Sequence, residues 1–290
     1  MSDEVKSLSG FIEQVSKLRE LWRIEDYREL WFRGEGKKHA TFLRPELYRP
    51  RKNAKNEDLP LKSVHELLDI ERRLYQDFQR CAVQLLDAQP QDDDWNWDSY
   101  FLMQHHLAPT RLLDWSDGAL MALHFAVRNK PKDDPSDGDA LVYVLEPYRL
   151  MDKLDTLPDT EVAKTKWKDY LAKSPSDEFS EDDWDESYLP ADGEDRMVDL
   201  PTLPLVLDFP QITRRVAAQR SRFMVFGTDP TWLADESQKP DSPIRAITID
   251  AGSAYKIRTE LRDSGVTESV IFPDLDGLGR EMRQLWEDRK

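Results

Sequence analysis

A chain of 290 residues, of which 39% are apolar, is long enough to bury a sizeable core. Its formal net charge of −16 argues against broad DNA or RNA binding, because a strongly acidic surface repels phosphates. No apolar run approaches the roughly 18 residues that cross a membrane, and the single cysteine and the lack of a signal-peptide pattern predict a cytoplasmic protein that does not bind membranes.

In the first half of the chain, the spacing of apolar residues predicts helices separated by short strands. Helices are predicted over residues 1–24, 62–88, 95–106 and 119–127, and short strands over 30–34 and 110–115. Pro109 cannot continue the third helix, so the residues after it are expected to be extended. Ser116 or Asp117 is predicted to cap the fourth helix, which is too apolar to be exposed.

In the second half, strands outnumber long helices. Strands are predicted over residues 138–145, 203–209, 222–226, 244–249 and 268–272, and helices over 254–262 and 275–288. This order favours an α+β fold, with a mixed or antiparallel central sheet and flanking helices, over a regular βαβ alternation. We therefore expect residues 1–290 to form a single domain.

Residues 150–200 differ in character from the rest of the chain. Seven acidic residues crowd between positions 177 and 186, with few apolar residues among them. This composition predicts a solvated acidic insertion or a mobile flap within the domain. The acidic segment 177–186 is also a candidate surface for a protein partner.

The stretch from residue 104 to residue 116 places polar side chains inside an apolar frame. Burying such groups is costly unless each finds a partner. The stretch is therefore either a buried polar network that fixes the core or the lining of a site. It also leads into the N-terminus of a buried helix, whose free N–H groups suit an anion. Its polar residues are Gln104, His105, His106, Thr110, Arg111, Asp114 and Ser116.

Several familiar binding motifs are missing. Residues 34–38 lack the spacing and the Ser or Thr of a Walker A loop, and no strand–GxGxxG–helix unit occurs. One cysteine cannot build a thiolate zinc cluster. His105 and His106 would point about 100° apart on a helix, so they cannot easily share one metal. We expect no metal cofactor.

Three segments match a known pattern in order and spacing. They are Trp31–Gly34, then residues 103–115, and then Arg215 with Ala218, Gln219 and Phe223. Together they resemble the FRG domain family, which is named for an (F/Y)RG motif, and the ending Ile271–Gly277 is similar to the same family. Leu107 and Ser221 stand where the family usually has Gly. The resemblance implies a module that acts in phage–host conflict, without a defined reaction.

The layout has a weaker resemblance to mono-ADP-ribosyltransferases. It shares an apolar strand ending in Arg-Gly, an extended Thr/Ser segment before an Ala-rich helix, and a late strand bearing Glu or Gln. This resemblance implies an ADP-ribosyltransferase-like fold with NAD as cofactor. Arg33 would hold the NAD phosphates and ribose, residues 110–116 would support the nicotinamide pocket, and Gln219 stands at the position of the catalytic Glu.

The first hypothesis is a nucleotide-binding protein that transfers ADP-ribose or cleaves NAD, as a toxin-like or defence effector. Its catalytic candidates are Gln219, His106 and Asp114. Its nucleotide-binding candidates are Arg33, Gly34, Gln104, His105, Thr110, Arg111 and Ser116. Structural interpretations compete with these roles: a buried ion pair of Arg33 with Asp114, or a salt bridge between Arg111 and Asp114 that closes the loop.

The second hypothesis is a non-catalytic interaction protein. Its acidic surface would bind a basic protein partner, or would imitate DNA in a DNA-binding protein. Gln219 favours this hypothesis, because a neutral amide cannot supply the charge that the transferase chemistry needs. A nuclease is a weaker third possibility, because no carboxylate cluster for a metal is evident and the overall charge opposes nucleic acid.

Overall fold

In the described part of the chain, six strands form one antiparallel sheet. The computed structural model describes residues 4–82, 84–85, 95–131, 136, 138–173, 180–190, 200–207 and 217–287. The strands are β1 Trp31–Glu35, β2 Leu112–Ser116, β3 Ala140–Leu145, β4 Leu205–Leu207, β5 Ser221–Val225 and β6 Ile244–Ile249. Their spatial order is β4-β5-β2-β1-β3-β6, and each neighbouring pair is antiparallel. The α+β class and the antiparallel central sheet are confirmed.

Helices flank the sheet. They are α1 Leu8–Trp22, α2 Val64–Ala82, α3 Trp95–His105, α4 Ala119–Val127, α5 Pro147–Asp155, α6 Pro158–Lys173, α7 Trp232–Ser237, α8 Ala254–Asp263, α9 Glu268–Ile271 and α10 Leu275–Glu287. Short 3₁₀ helices cover Glu46–Tyr48, Glu181–Tyr188 and Ala251–Ser253. The predicted helix over residues 119–127 is confirmed at both ends. The predicted helices over residues 1–24, 62–88, 95–106, 254–262 and 275–288 are confirmed within the described residues, each with at least one shifted end.

The alternation of side chains along the strands builds a core on each face of the sheet. Val142 and Val144 of β3 pack in a cluster with α4 and α8. Tyr143 and Leu145 point to the opposite face, where α5 and α7 cover them. A third cluster, rich in aromatic residues, joins α2 and α3 to β5 around Tyr75. Both faces of the sheet are therefore covered by apolar packing. Polar side chains that line a cleft are expected at the edges of this packing.

The strand predicted over residues 268–272 is wrong. Glu268–Ile271 forms the short helix α9, in which the Phe272 N–H bonds the Glu268 carbonyl at 2.8 Å. The run Val-Ile-Phe is typical of a strand, but Glu268 is 2% exposed and its carboxylate meets basic side chains from two other helices. These tertiary contacts outweigh the local strand propensity.

The predicted cap of α4 is also wrong. The N-cap residue is Gly118, and no side chain caps it. Ser116 instead accepts a hydrogen bond from the Gly118 N–H at 3.0 Å and donates one to the Gln219 carbonyl at 2.7 Å. The Ser116 hydroxyl therefore ties the turn before α4 to the turn before β5.

The described parts of residues 150–200 take part in the core. Trp167 of α6 is fully buried, and Tyr188 at the end of the second 3₁₀ helix is 2% exposed. The Tyr188 carbonyl accepts a hydrogen bond from the buried Arg111 side chain. Asp177 and Glu178 of the acidic segment lie outside the described residues.

Candidate functional site

A cleft of about 550 Å³ opens where β1 and β2 meet α4 and α10. β1 pairs with β3 at every position from Trp31 to Glu35, but it pairs with β2 through Phe32 and Ser116. The two strands therefore diverge towards Gly34 and Asp114, and the gap between them forms part of the cleft. The strands and the turn before β5 contribute Phe32, Arg33, Gly34, Asp114, Trp115, Ser116, Gln219 and Ser221 to the lining. The helices and loops contribute Leu107, Ala122, Phe125, Arg128, Phe272, Asp274, Asp276 and Arg280.

The cleft brings together Arg33, Gly34, Asp114, Ser116 and Gln219, which the sequence proposed as site residues. They come from three separate parts of the chain, and the order β5-β2-β1 in the sheet makes them neighbours. The other proposed residues lie behind the cleft wall, at the end of α3 or in the core.

Arg33 bridges the gap between the two strands. Its Nη1 donates to the Asp114 carbonyl at 2.7 Å, and its Nε donates to Glu35 Oε1 at 3.2 Å. The side chain of Arg33 is 17% exposed. Arg33 thus forms an ion pair with Glu35 and a hydrogen bond with the backbone of Asp114. Arg33 therefore supports the cleft wall as well as lining the cleft.

A polar chain from α3 orients Asp114. Gln104 Nε2 donates to Asp114 Oδ2 at 2.9 Å, and Gln104 Oε1 accepts from the Thr110 hydroxyl at 2.5 Å. The Thr110 hydroxyl in turn accepts from the Leu112 N–H at 3.1 Å. Asp114 itself is exposed. Gln104 and Thr110 are therefore placed to position a carboxylate at the cleft wall, and they do not line the cleft themselves.

Gln219 offers the cleft an unsatisfied donor. Its side-chain Nε2 is buried and has no hydrogen-bond partner among the described residues. Ser116 fixes its backbone carbonyl, and Asp117 anchors the following turn by pairing with Arg220 and with Arg222 at 2.7 Å. A buried N–H without a partner costs about 1–3 kcal/mol. Such a donor in a rigid turn beside a cleft is typical of a ligand-binding position.

Arg111 lies in the core, away from this cleft. It is fully buried, and its Nε donates to Glu71 Oε2 at 2.5 Å. The predicted loop-closing salt bridge with Asp114 is wrong, because the carboxylate partner is Glu71 of α2. Burial lowers the pKa of Arg111, but the Glu71 charge, the electrostatic effects of Tyr100 and Tyr48 and the hydrogen bond to Glu71 together outweigh it and raise the pKa, so the guanidinium stays protonated. Glu71 could not be identified from the sequence as the partner of Arg111, because a Glu within an amphipathic helix usually faces solvent.

The two adjacent histidines lie at the end of α3. Their rings are nearly perpendicular, with centroids 4.9 Å apart, and neither residue is among those that line the cleft. His106 is exposed, and His105 is half-buried. Leu107 follows them with φ = 65° and does line the cleft. This positive φ explains why glycine suits the position after the histidine pair.

Leu107→Gly is expected to raise the free energy of unfolding by up to about 1 kcal/mol. Leu107 is 74% exposed, so glycine removes left-handed backbone strain and gives up little burial. Urea denaturation measures the change. Leu21→Gly is the matched control: it removes an exposed leucine from within α1 and should destabilise by about 1 kcal/mol. Equal destabilisation by both substitutions would contradict the interpretation.

Sequence reasoning does not identify two arginines on the helical wall of the cleft. Arg280 Nε and Arg128 Nη2 contact the same atom, Glu268 Oε1, at 2.7 and 3.7 Å. His124 Nε2 lies 3.0 Å from the other oxygen, Glu268 Oε2. Burial raises the pKa of Glu268, but the hydrogen bonds from His124 and Arg280 and the charge of Arg128 outweigh it and lower the pKa to about 2. One sequence signal could have located this wall. The ending Ile271–Gly277 is similar to the FRG family, and it contains Phe272, which lines the cleft.

The described residues carry neither a metal site of the usual protein ligands nor a membrane-spanning helix. They contain no group of three His, Cys, Asp or Glu side chains that is placed to hold a metal ion. None of the helices within them has both the length and the apolar character required to cross a membrane.

Comparison with known proteins gives one match. The family model of the FRG domain matches residues 28–135. The match includes Arg33 and Gly34 of β1 and Asp114 and Ser116 of β2, and it ends before Gln219 and α10. No curated protein and no solved structure matches the chain.

Proposed function

We propose that this FRG-domain protein binds a nucleotide such as NAD in the cleft between β1 and β2. The proposal rests on Gln219, which lines the same cleft as Arg33 and whose buried Nε2 has no partner among the described residues. An amide N–H suits a ribose hydroxyl or a carboxamide oxygen, whereas a guanidinium suits a phosphate. The two donors together therefore suit the nucleoside part and the phosphate part of a nucleotide.

The arrangement of the cleft supports a site similar to that of mono-ADP-ribosyltransferases. Arg33 and Gly34 lie on a central strand, Ser116 ends the neighbouring strand immediately before the Ala-rich helix α4, and Gln219 precedes the strand on the other side. This is the order of parts that the weaker resemblance implied. All of these residues line one cleft.

The chemistry proposed for the cleft is cleavage of the bond between nicotinamide and ribose. As this bond breaks, nicotinamide leaves with the bonding electrons and positive charge develops on the ribose. Water or an acceptor side chain then attacks the ribose carbon and loses a proton. Asp114, exposed and held by Gln104, is the proposed acceptor of that proton. The product is free nicotinamide with ADP-ribose or an ADP-ribosylated macromolecule, as expected of an effector in phage–host conflict.

Gln219→Glu is expected to increase nicotinamide release from NAD by at least about tenfold, because a carboxylate stabilises the positive ribose. Gln219→Ala is expected to decrease release, since it removes an amide donor without a partner from a residue that lines the cleft. The assay measures free nicotinamide after incubation of the purified protein with NAD and cell lysate, with label in the ADP-ribose part reporting transfer. Arg33→Ala, tested alongside, is expected to abolish both signals.

The control is Gln14→Ala, which makes the same chemical change on α1, outside the cleft lining. It should leave release unchanged. Equal rates in wild type, both Gln219 variants and the control would contradict a catalytic cleft. If the wild-type protein also fails to bind NAD, the proposed function is wrong. A pull-down for a basic protein partner would then test the interaction hypothesis.

A further inference from the structure

Arg128 and Arg280 form a pair that is unusually fixed for arginines at a cleft. Both contact Glu268 Oε1, so the two side chains meet at one carboxylate oxygen. Both also lie over the ring of Phe272, at 5.0 and 4.7 Å from its centroid. Phe125 packs edge-on against that ring with centroids 5.9 Å apart. Because these contacts hold the side chains in place, a ligand would lose little affinity in ordering them.

The pair carries more positive charge than its partner neutralises. One carboxylate, Glu268, serves both arginines, and it is ionised at neutral pH because its pKa is about 2. Burial lowers the pKa of Arg128, Glu268 raises it, and the neighbouring Arg280 lowers it again. The repulsion between the two guanidinium groups is thus only partly relieved within the protein, and an anion beside them would relieve it further.

Two carboxylates also line this end of the cleft. Asp274 Oδ1 accepts a hydrogen bond from the Gly277 N–H at 2.6 Å and so caps α10. Asp276 lies in the first turn of α10 and is exposed. Their charges disfavour a long polyanion such as nucleic acid.

We infer that Arg128 and Arg280 form a phosphate subsite at the α4–α10 end of the cleft. The identity of the complete ligand rests on the proposed function, but the anion chemistry rests on the arginine pair itself. The phosphate belongs either to the nucleotide in the cleft or to a separate phosphorylated molecule. The two arginines would each donate N–H groups to its oxygens, as guanidinium groups do in bidentate phosphate recognition.

Arg280→Gln tests the subsite by calorimetric titration with inorganic pyrophosphate, NAD and nicotinamide riboside, which has no phosphate. The side chain of Arg280 is 41% exposed. When Arg280 is replaced, Glu268 still contacts His124 and Arg128, so the variant is expected to fold. Pyrophosphate affinity should fall about 10-fold to 100-fold, because charge-assisted hydrogen bonds are lost. Arg128→Gln should have a similar effect, and Arg283→Gln, an exposed arginine on the same helix, should have none.

The titrations separate the subsite from the proposed function. If both variants bind NAD and pyrophosphate with lower affinity than wild type does, the nucleotide supplies the phosphate. If pyrophosphate binds and depends on Arg280 while NAD does not bind, the subsite stands for a separate phosphorylated molecule and the proposed function fails. If NAD binds wild type and both variants equally while pyrophosphate depends on the arginines, the phosphate belongs to a separate molecule. If pyrophosphate does not bind wild type, or binds wild type and both variants equally, the subsite is overturned. An equal loss of pyrophosphate affinity in Arg283→Gln would also overturn the subsite, because the loss would then follow from the change in net charge alone.

Discussion

Glu71→Ala is expected to lower the free energy of unfolding by about 3–5 kcal/mol, because it leaves a buried guanidinium without its counter-ion. Glu71 is 1% exposed and accepts hydrogen bonds from the Arg111 side chain at 2.5 Å and from the Arg111 N–H at 2.8 Å. The Tyr100 hydroxyl also donates to it. The remaining Arg111 donors bind the carbonyls of Phe226 and Tyr188, so this one side chain joins α2, the 3₁₀ helix that ends at Tyr188 and the end of β5.

Urea denaturation of the variant beside Asp77→Ala measures the effect. Asp77 is an exposed acidic residue on the same helix, and its ion pair with Arg80 is open to solvent. The loss for that control should stay within about 0.5 kcal/mol. A similar small loss for Glu71→Ala would show that Arg111 does not depend on Glu71, and the assignment of Arg111 to the core would then be wrong.

Gly34→Ala is expected to destabilise the protein by about 1–3 kcal/mol or more, because the added methyl group overpacks the interface of β1 with α4. A Cβ at Gly34 would lie 1.9 Å from the Ala122 carbonyl oxygen and 2.7 Å from the Ala126 nitrogen. Both atoms are helix backbone and cannot rotate away, so α4 would have to shift. Gly34, which the sequence proposed as a nucleotide-binding residue, is thus required for the close approach of a helix.

Gly36→Ala is the matched control, two residues further along. A Cβ there would meet the Ala126 carbonyl oxygen at 3.8 Å, which is ordinary contact. Thermal unfolding of both variants should show a clear loss for Gly34→Ala and little change for Gly36→Ala. Equal melting temperatures would contradict the close packing of α4 on β1. A displaced α4 would also move Ala122, Phe125 and Arg128 in the cleft wall, so Gly34→Ala should weaken ligand binding too.

Much of the fold could be predicted because apolar spacing carries the information. The predicted strand over residues 244–249 and the helix over 119–127 agree with the structure at both ends. The run at 268–272 could not be predicted in the same way, since its helical state depends on contacts of Glu268 with His124 and Arg280. His124 lies 144 positions away in the chain.

The candidate site could be predicted in part for a similar reason. Arg33, Asp114 and Ser116 stand in short, unusual polar sequences, so they were identifiable. Gln219 was identified through a resemblance alone, because an isolated Gln carries no chemical signal. Arg128 and Arg280 lie on helices rich in other charges, and only the folded chain brings them to one carboxylate. Long-range ion pairs of this kind leave no periodic signal in the sequence.

The most direct test of the central claim is a calorimetric titration of the purified wild-type protein with NAD, beside Gln219→Ala. A cleft that binds a nucleotide through the unsatisfied Gln219 amide predicts saturable one-to-one binding by wild type. It also predicts an affinity about threefold to tenfold lower in the variant. The free variant should unfold at a temperature no lower than that of free wild type, because it loses a buried donor without a partner. No binding by wild type, or equal affinities in both proteins, would contradict the claim.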